Sequence, residues 1–533
     1  MTRSIRSPGA GRPFLATTRR RFLQGAAAAG AAGAVGLAPL GRARAAGPKS
    51  GGHMVFGISA SATTDTFDPG KVGNAFQSVM QYTVGAMLTE VDSDGAVQPK
   101  LAESWESSAD ATRWTFDLRR GVSFHDGRAV TADDVIASLN HHRGEETESS
   151  AKPIMASVED IRKDGDHRVI VTLGVADADF PFKLSSFHFP IYPANADGSL
   201  DWRSRNGCGP YKLTSFDPGV SATFERNPDY WRLGERAHFE SCELVALTDT
   251  AARQNALMTG QVHAIDRVDL ATVDLLAKAT GVRVEEVANK THYTFPMRTD
   301  MAPFDDPDVR LAVKYAVDRE SLLKTILRGH GALGNDTPIN STYRYYSAEI
   351  PQRGYDPDRA KHHLKKAGLE SLPLELYASD AAFTRAVDAS VLYAEQAKAG
   401  GLDITVKRAP QDGYWNDIWM QKPWSACYWY GTPTEDGIFT TAYSAGAAWN
   451  DTFWDNARFN ELLIAARGEL DQALRAEMYH EMQLILNQDG GLVAPVFAND
   501  VFAVRDAVAF DPVANNFEVD GRLFFERWWF EDA

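Results

Sequence analysis

Between Arg113 and Val135 the chain spells out a continuous run of local structure. Trp114, Phe116 and Leu118 alternate with Thr115, Asp117 and Arg119, the period of a half-buried strand. Gly121 and the His125-Asp126-Gly127 triplet punctuate the next stretch as turns. Thr131 can accept from the first free amides of a helix starting near Asp133, where Asp133 and Asp134 suit the helix dipole. The order is strand, turn, strand, capped helix, so this part of the fold is mixed.

Further strand candidates are Met54–Ser59, Arg168–Leu173 and Tyr211–Phe216, and near the end Val493–Phe497 and Val501–Arg505. The second half is more helical. Val309, Ala312, Val313 and Ala316 share one face, and Leu322, Leu323, Ile326 and Leu327 continue beyond Asp318. Leu474, Met478, Met482 and Ile485 repeat that spacing after Asp471 and are expected in a core. At 533 residues the chain exceeds what one core usually supports. With no internal repeat and no long linker, its domains should be joined by short crossovers.

Residues 1–45 read as an export segment. Arg19-Arg20-Arg21-Phe22-Leu23 looks like a twin-arginine signal, Gly25 to Leu40 is apolar, and Ala43-Arg44-Ala45 fits a cleavage site. The apolar stretch is shorter than the roughly 20 residues a membrane span takes. Cleavage near Ala45 is expected to leave a soluble periplasmic chain. Residues 1–45 carry eight of the 55 basic residues and none of the 71 acidic ones, so their removal takes the net charge from −16 to −24. Such a surface argues against nucleic acid or anionic lipid as a partner.

Three cysteines do not make a disulfide framework. Two arrangements are open: one disulfide between Cys208 and Cys242 with Cys427 free, or three unpaired thiols. Patterns for catalysis and metals are missing. There is no G-x-S-x-G, no phosphate-binding loop, no H-E-x-x-H and no C-x-x-C. His480-Glu481 fails the zinc spacing, Asp92-Ser-Asp-Gly95 reads as a turn, and the pairs His141-His142 and His362-His363 read as solvated. No cofactor and no metal site is expected.

Several separate motifs carry a resemblance, in order along nearly all of the chain after residue 45. They are Pro99-Lys-Leu-Ala-Glu-Ser-Trp105, Gly121-Val-Ser-Phe-His-Asp-Gly127, Thr131-Ala-Asp-Asp-Val135, Gly207-Cys-Gly-Pro-Tyr-Lys212, Glu225-Arg-Asn-Pro-Asp-Tyr-Trp231, Phe304-Asp-Asp-Pro-Asp-Val-Arg310 and Ala316-Val-Asp-Arg-Glu320. Together they resemble the family 5 extracellular solute-binding proteins of ABC importers. The resemblance implies an α/β, two-lobed periplasmic binding protein fold of type II and the large cluster C type, with mixed sheets and a ligand cleft between lobes. It places lobe I at residues 46–287, with an extra subdomain at about 80–200, lobe II at 288–494, and a return to lobe I at 495–533. The implied function is non-catalytic: capture of a peptide or peptide-like solute and its delivery to ABC permease subunits in the inner membrane. A nickel chelate, haem or oligosaccharide is the alternative within the class, and a twin-arginine-exported enzyme or cofactor protein the alternative outside it. A monomer is expected.

Ligand contacts are expected in the aromatic-rich stretch from Trp424 to Trp454: Tyr428, Trp429, Tyr430, Gly431, Thr432, Glu435, Asp436, Trp449 and Asn450. Trp429-Tyr430-Gly431 resembles the family's binding loop. In dipeptide-binding members an aspartate follows it and pairs with the ligand's α-ammonium group, where this chain has Thr432. A hydroxyl cannot neutralise an ammonium, so Glu435 or Asp436 is expected to take that role, or else the ligand has no free amine. Arg344, among Tyr343, Tyr345 and Tyr346, can fork onto a carboxylate or stack on its neighbours. Phe76 and Gln77 are the expected contacts from the first lobe.

Overall fold

The computed structural model describes residues 48–531. The export segment and the cleavage site expected near Ala45 lie outside the described residues.

Two sheets organise the chain. The first has seven strands in the order Val282–Val287, Asp500–Arg505, Ala264–Ile265, His53–Ile58, Ser241–Ala246, Ser221–Arg226 and Tyr211–Asp217. Only His53–Ile58 pairs in parallel with its neighbours, and every other pairing is antiparallel. Met54, Phe56 and Ile58, which alternate onto one face of that strand, are buried. The second sheet has four antiparallel strands, in the order Gly331–Leu333, Val496–Ala498, His292–Thr294 and Cys427–Trp429. A separate antiparallel sheet orders Ala102–Ser107, Arg113–Leu118, Arg168–Leu173 and Val158–Lys163 around its own apolar core.

The chain crosses between the two main sheets twice. Val287 pairs with Asp500 in the first sheet, and His292 pairs with Phe497 in the second. Only residues 288–291 and Asn499 lie between. Val496–Ala498 therefore belongs to the second sheet, and the chain passes back to the first sheet through Asn499. The Glu286 carboxylate braces both connections, accepting from Asn499 Nδ2 at 2.5 Å and meeting His330 Nδ1 at 2.8 Å.

Local signals are mostly realised. Ala132–Asn140 is a helix, and the Asp134 carboxylate reaches back to the Thr131 amide at 2.8 Å and its hydroxyl at 3.0 Å. Val309, Ala312, Val313 and Ala316 are buried together. On helix Gln472–Asp489 the expected stripe is rotated. Met482 is buried but Leu474 is exposed, and Arg475, Tyr479 and Leu486 share the inner face instead. Arg475 turns inward because Asp179 and the Ala466 carbonyl satisfy its guanidinium there.

Cys208, Cys242 and Cys427 are all buried, and each is a free thiol in the structure. Strand Ser221–Arg226 lies between the Tyr211–Asp217 and Ser241–Ala246 strands, so the segments carrying Cys208 and Cys242 are not neighbours. The Cys208 thiol points to the Ile191 carbonyl instead. Its turn needs glycine on both sides. A Cβ on Gly207 would meet the Val84 carbonyl oxygen at 1.9 Å, and one on Gly209 would meet the Gly85 oxygen at 2.6 Å.

Candidate functional site

Strand Cys427–Trp429 forms the free edge of the second sheet, pairing only with His292–Thr294. Period-two alternation sends Tyr428 to one face and Cys427 and Trp429 to the other. Beyond it the chain must turn at glycine: a Cβ on Gly431 would sit 1.8 Å from the Lys290 Cβ. Thr432 then donates its hydroxyl to the Thr434 carbonyl at 2.7 Å, and Thr434 caps helix Glu435–Ala442 by accepting from the Gly437 amide.

An unbroken row of rings runs past this strand edge. Tyr430 lies 4.9 Å from Tyr428, Tyr428 5.9 Å from Trp415, Trp415 5.6 Å from Trp419, Trp419 6.3 Å from Trp429, and Trp429 6.2 Å from Trp449. Its two ends, Tyr430 and Trp449, are each 57 % exposed, while Trp429 is 8 % exposed. Large exposed rings rooted in a buried one make a wall suited to a solute. Arg267, which follows strand Ala264–Ile265 of the first sheet, pairs with Glu518 at 2.6 Å.

The two acids expected to replace the missing aspartate are both engaged. Glu435 is buried and accepts from the Tyr345 amide at 2.6 Å, and burial raises its pKa, with Asp179 adding to the effect and Lys290 opposing it. Lys290 donates to the Pro433 carbonyl at 3.0 Å and lies 4.6 Å over the Tyr343 ring; burial lowers its pKa to about 8. Asp436 is held by Arg467 Nε at 2.9 Å. Both carboxylates are buried, Glu435 to 3 % and Asp436 to 4 % exposure.

Other expected contacts serve the scaffold. Asn450 is buried, with Nδ2 donating to the Ser444 and Trp454 carbonyls and Oδ1 accepting from Thr452. Phe76 is fully buried and stacks on Phe216 beside the first sheet. Gln77 closes the preceding loop through Gly73, Thr66 and Lys71. Arg344 is exposed and lies 5.4 Å over the Tyr345 ring.

Three residues of this region escaped the sequence reading: Trp415, Trp419 and Asp451. The first two share a face at i and i+4, a visible signal. Asp451, between Asn450 and Thr452, has the appearance of a turn residue. In the fold it is buried and accepts from Trp419 Nε1 at 3.1 Å and Trp429 Nε1 at 3.3 Å. Two surface recesses lie elsewhere, one of about 310 Å³ lined by Tyr315, Arg353 and Asn487, the other of about 590 Å³ lined by His125, Asp126 and Lys212. None of the ring residues lines either. Among the described residues no group of three His, Cys, Asp or Glu side chains is placed to hold a metal ion, and no helix is long and apolar enough to cross a membrane.

Comparison with known proteins agrees with this architecture. Residues 96–451 match the model of bacterial extracellular solute-binding proteins, family 5 Middle. Di/tripeptide-binding protein 2 of Pseudomonas aeruginosa is 26 % identical over 470 residues, covering 81 % of this chain and 87 % of that one. Heme-binding protein A of Haemophilus influenzae is 25 % identical over 482 residues, covering 82 % and 86 %. The solved structure of HbpA2 from Haemophilus parasuis superposes with a TM-score of 0.80 at 19 % identity, over 90 % of this chain and all of that one, which shows the same two-lobed fold. With the family model spanning well over half of its length, this chain belongs to the family 5 bacterial extracellular solute-binding proteins.

Proposed function

We propose that the exported chain is the periplasmic receptor of an ABC importer and captures a peptide or peptide-like solute against the Tyr430-to-Trp449 row of rings. The observation that carries this reading is the row itself, rooted in the buried Trp429 and exposed at both ends. Residues 48–287 and the return from Asp500 form one lobe in this reading, and residues 292–498 the other. A solute that touches both lobes favours the closed form by its extra contacts there, and closure presents the surface that the permease subunits read. The relatives named for di- and tripeptides support the solute class.

A second reading, a flat ring such as haem, draws on the same run of aromatic rings and on the relative named for haem. Native mass spectrometry of protein purified from periplasm separates the two. A series of added masses that resolves into peptides supports the first reading. A single added mass with a visible absorption band supports the second and overturns the first.

A further inference from the structure

Asp451 is the buried acid of the site region whose charge the surrounding protein leaves unanswered. It is 2 % exposed, and it comes 22 residues after Trp429, whose indole it holds. Oδ2 accepts from the two indole nitrogens of Trp419 and Trp429, while Oδ1 is buried and meets no N–H or O–H donor, the Cys427 thiol being the carboxylate's remaining side-chain partner. The titratable groups facing it are the Cys427 thiol, from the edge strand, and the Tyr443 phenol, from the end of helix Glu435–Ala442. Burial raises the pKa of both, so both are neutral at neutral pH. Indole, thiol and phenol donate hydrogen bonds but supply no positive charge.

An orphaned carboxylate oxygen is costly to bury, and its cost falls when a cation arrives. The rings that hold Asp451 are also good cation partners, because the negative face of a tryptophan ring attracts an ammonium, more strongly as water is excluded. Glu435 and Asp436 are engaged with the Tyr345 amide and Arg467, and Thr432 bears no charge. We propose that Asp451 is the counter-ion for a cationic group of the solute, an ammonium that lies against Trp429 and Trp449 and donates to Asp451 Oδ1. This inference rests on the reading that the row of rings lines the solute site.

The test uses a pool of dipeptides and the same pool N-acetylated, each offered to the stripped full-length mature protein and to Asp451→Asn. The asparagine keeps an oxygen for the two indoles and removes the charge. A residue that only held the indoles would weaken both pools alike. A counter-ion acts on one pool: the wild type should prefer free amines by about 10- to 100-fold, the span of one charged hydrogen bond. In Asp451→Asn that preference should collapse to near one, with binding of the acetylated pool unchanged. Thermal unfolding of both proteins, run alongside, establishes that the variant is folded. If it is not, the wild-type preference alone decides. Equal binding of both pools by the wild type, or a preference that survives in Asp451→Asn, overturns the inference and leaves the receptor reading standing. Binding of neither pool by the wild type overturns the peptide reading, and the ammonium assigned here falls with it.

Discussion

Asp179 and Arg475 meet in a two-pronged ion pair, with Nη1 to Oδ1 at 2.9 Å and Nη2 to Oδ2 at 2.7 Å. Asp179 precedes Phe180 in the core beside the strand Arg113–Leu118, and Arg475 belongs to the helix packed behind strand Cys427–Trp429. The Ala178 amide donates to the Arg467 carbonyl at 2.8 Å next to this pair. Together these contacts form a latch between the segment around Asp179 and helix Gln472–Asp489.

Asp179→Asn should loosen that latch. The variant keeps one hydrogen bond and loses the charge, leaving the nearly buried Arg475 guanidinium under-compensated, a change worth about 3 kcal/mol in the closed form. Solute affinity should fall while solute-free thermal stability changes little, read by calorimetry and thermal unfolding. A drop in stability with unchanged affinity would mean that the pair holds one rigid body and is no latch.

Trp449→Ala tests the wall with little risk to the fold, because that ring is more than half exposed. Affinity should drop about tenfold, the effect of losing one good ring contact. Trp429 is a poorer probe. It is embedded in the core behind the edge strand, so truncation to alanine should also cost about 3–5 kcal/mol of stability. Titration of both variants, with circular dichroism as control, separates the two effects.

Burial pushes the Asp451 carboxyl up to about 6 from an ordinary 3.8. Its folded-state pKa is raised, so the stability linked to its proton is fully present below pH 4 and is lost as pH rises through 6. Other acids titrate in the same window, so the difference between two proteins is the clean measurement. Relative to wild type, solute-free Asp451→Asn should gain stability between pH 4 and 6.5 and hold the gain above that. A flat difference across the window would show that Asp451 titrates normally.

The three thiols should all be unreactive in the folded chain. Burial raises the pKa of each, that of Cys208 to about 12. Iodoacetamide should add nothing to native protein and three adducts to unfolded protein without any reductant. A single adduct under the second condition would mean that two of the cysteines are paired.

Gly431→Ala should disrupt the loop that carries Thr432. The new methyl would have to displace the backbone-linked Lys290 Cβ, which cannot swing aside as a flexible tip would. Loss of solute binding with a lowered melting temperature is expected. An unchanged melting temperature would show that the crossover at Lys290 yields easily.

Much of the fold was legible wherever a pattern was local. The alternation at Arg113–Leu118 and Arg168–Leu173 and the apolar face from Val309 all act over a few residues, and each forms as expected. The site was legible only in part. A dense run of aromatics reveals a wall without revealing which rings are its roots and which its face, since strand alternation and tertiary cover decide that together. Long-range polar pairing was invisible. Nothing near Arg475 announces Asp179, nothing near Glu435 announces the Tyr345 amide, and Asp451 has the local appearance of a surface turn. The rotated stripe on helix Gln472–Asp489 has the same cause, because a satisfied arginine is buried where a methionine was expected.

Hydrogen exchange on the stripped protein, before and after loading with its released native solute, tests the central claim most directly. Exchange should slow at the amides of residues 427–437 and 449–452, and at the Ala178 amide of the latch. Protection confined to the recess around Tyr315, Arg353 and Asn487, with residues 427–437 unchanged, would contradict a solute site on the row of rings.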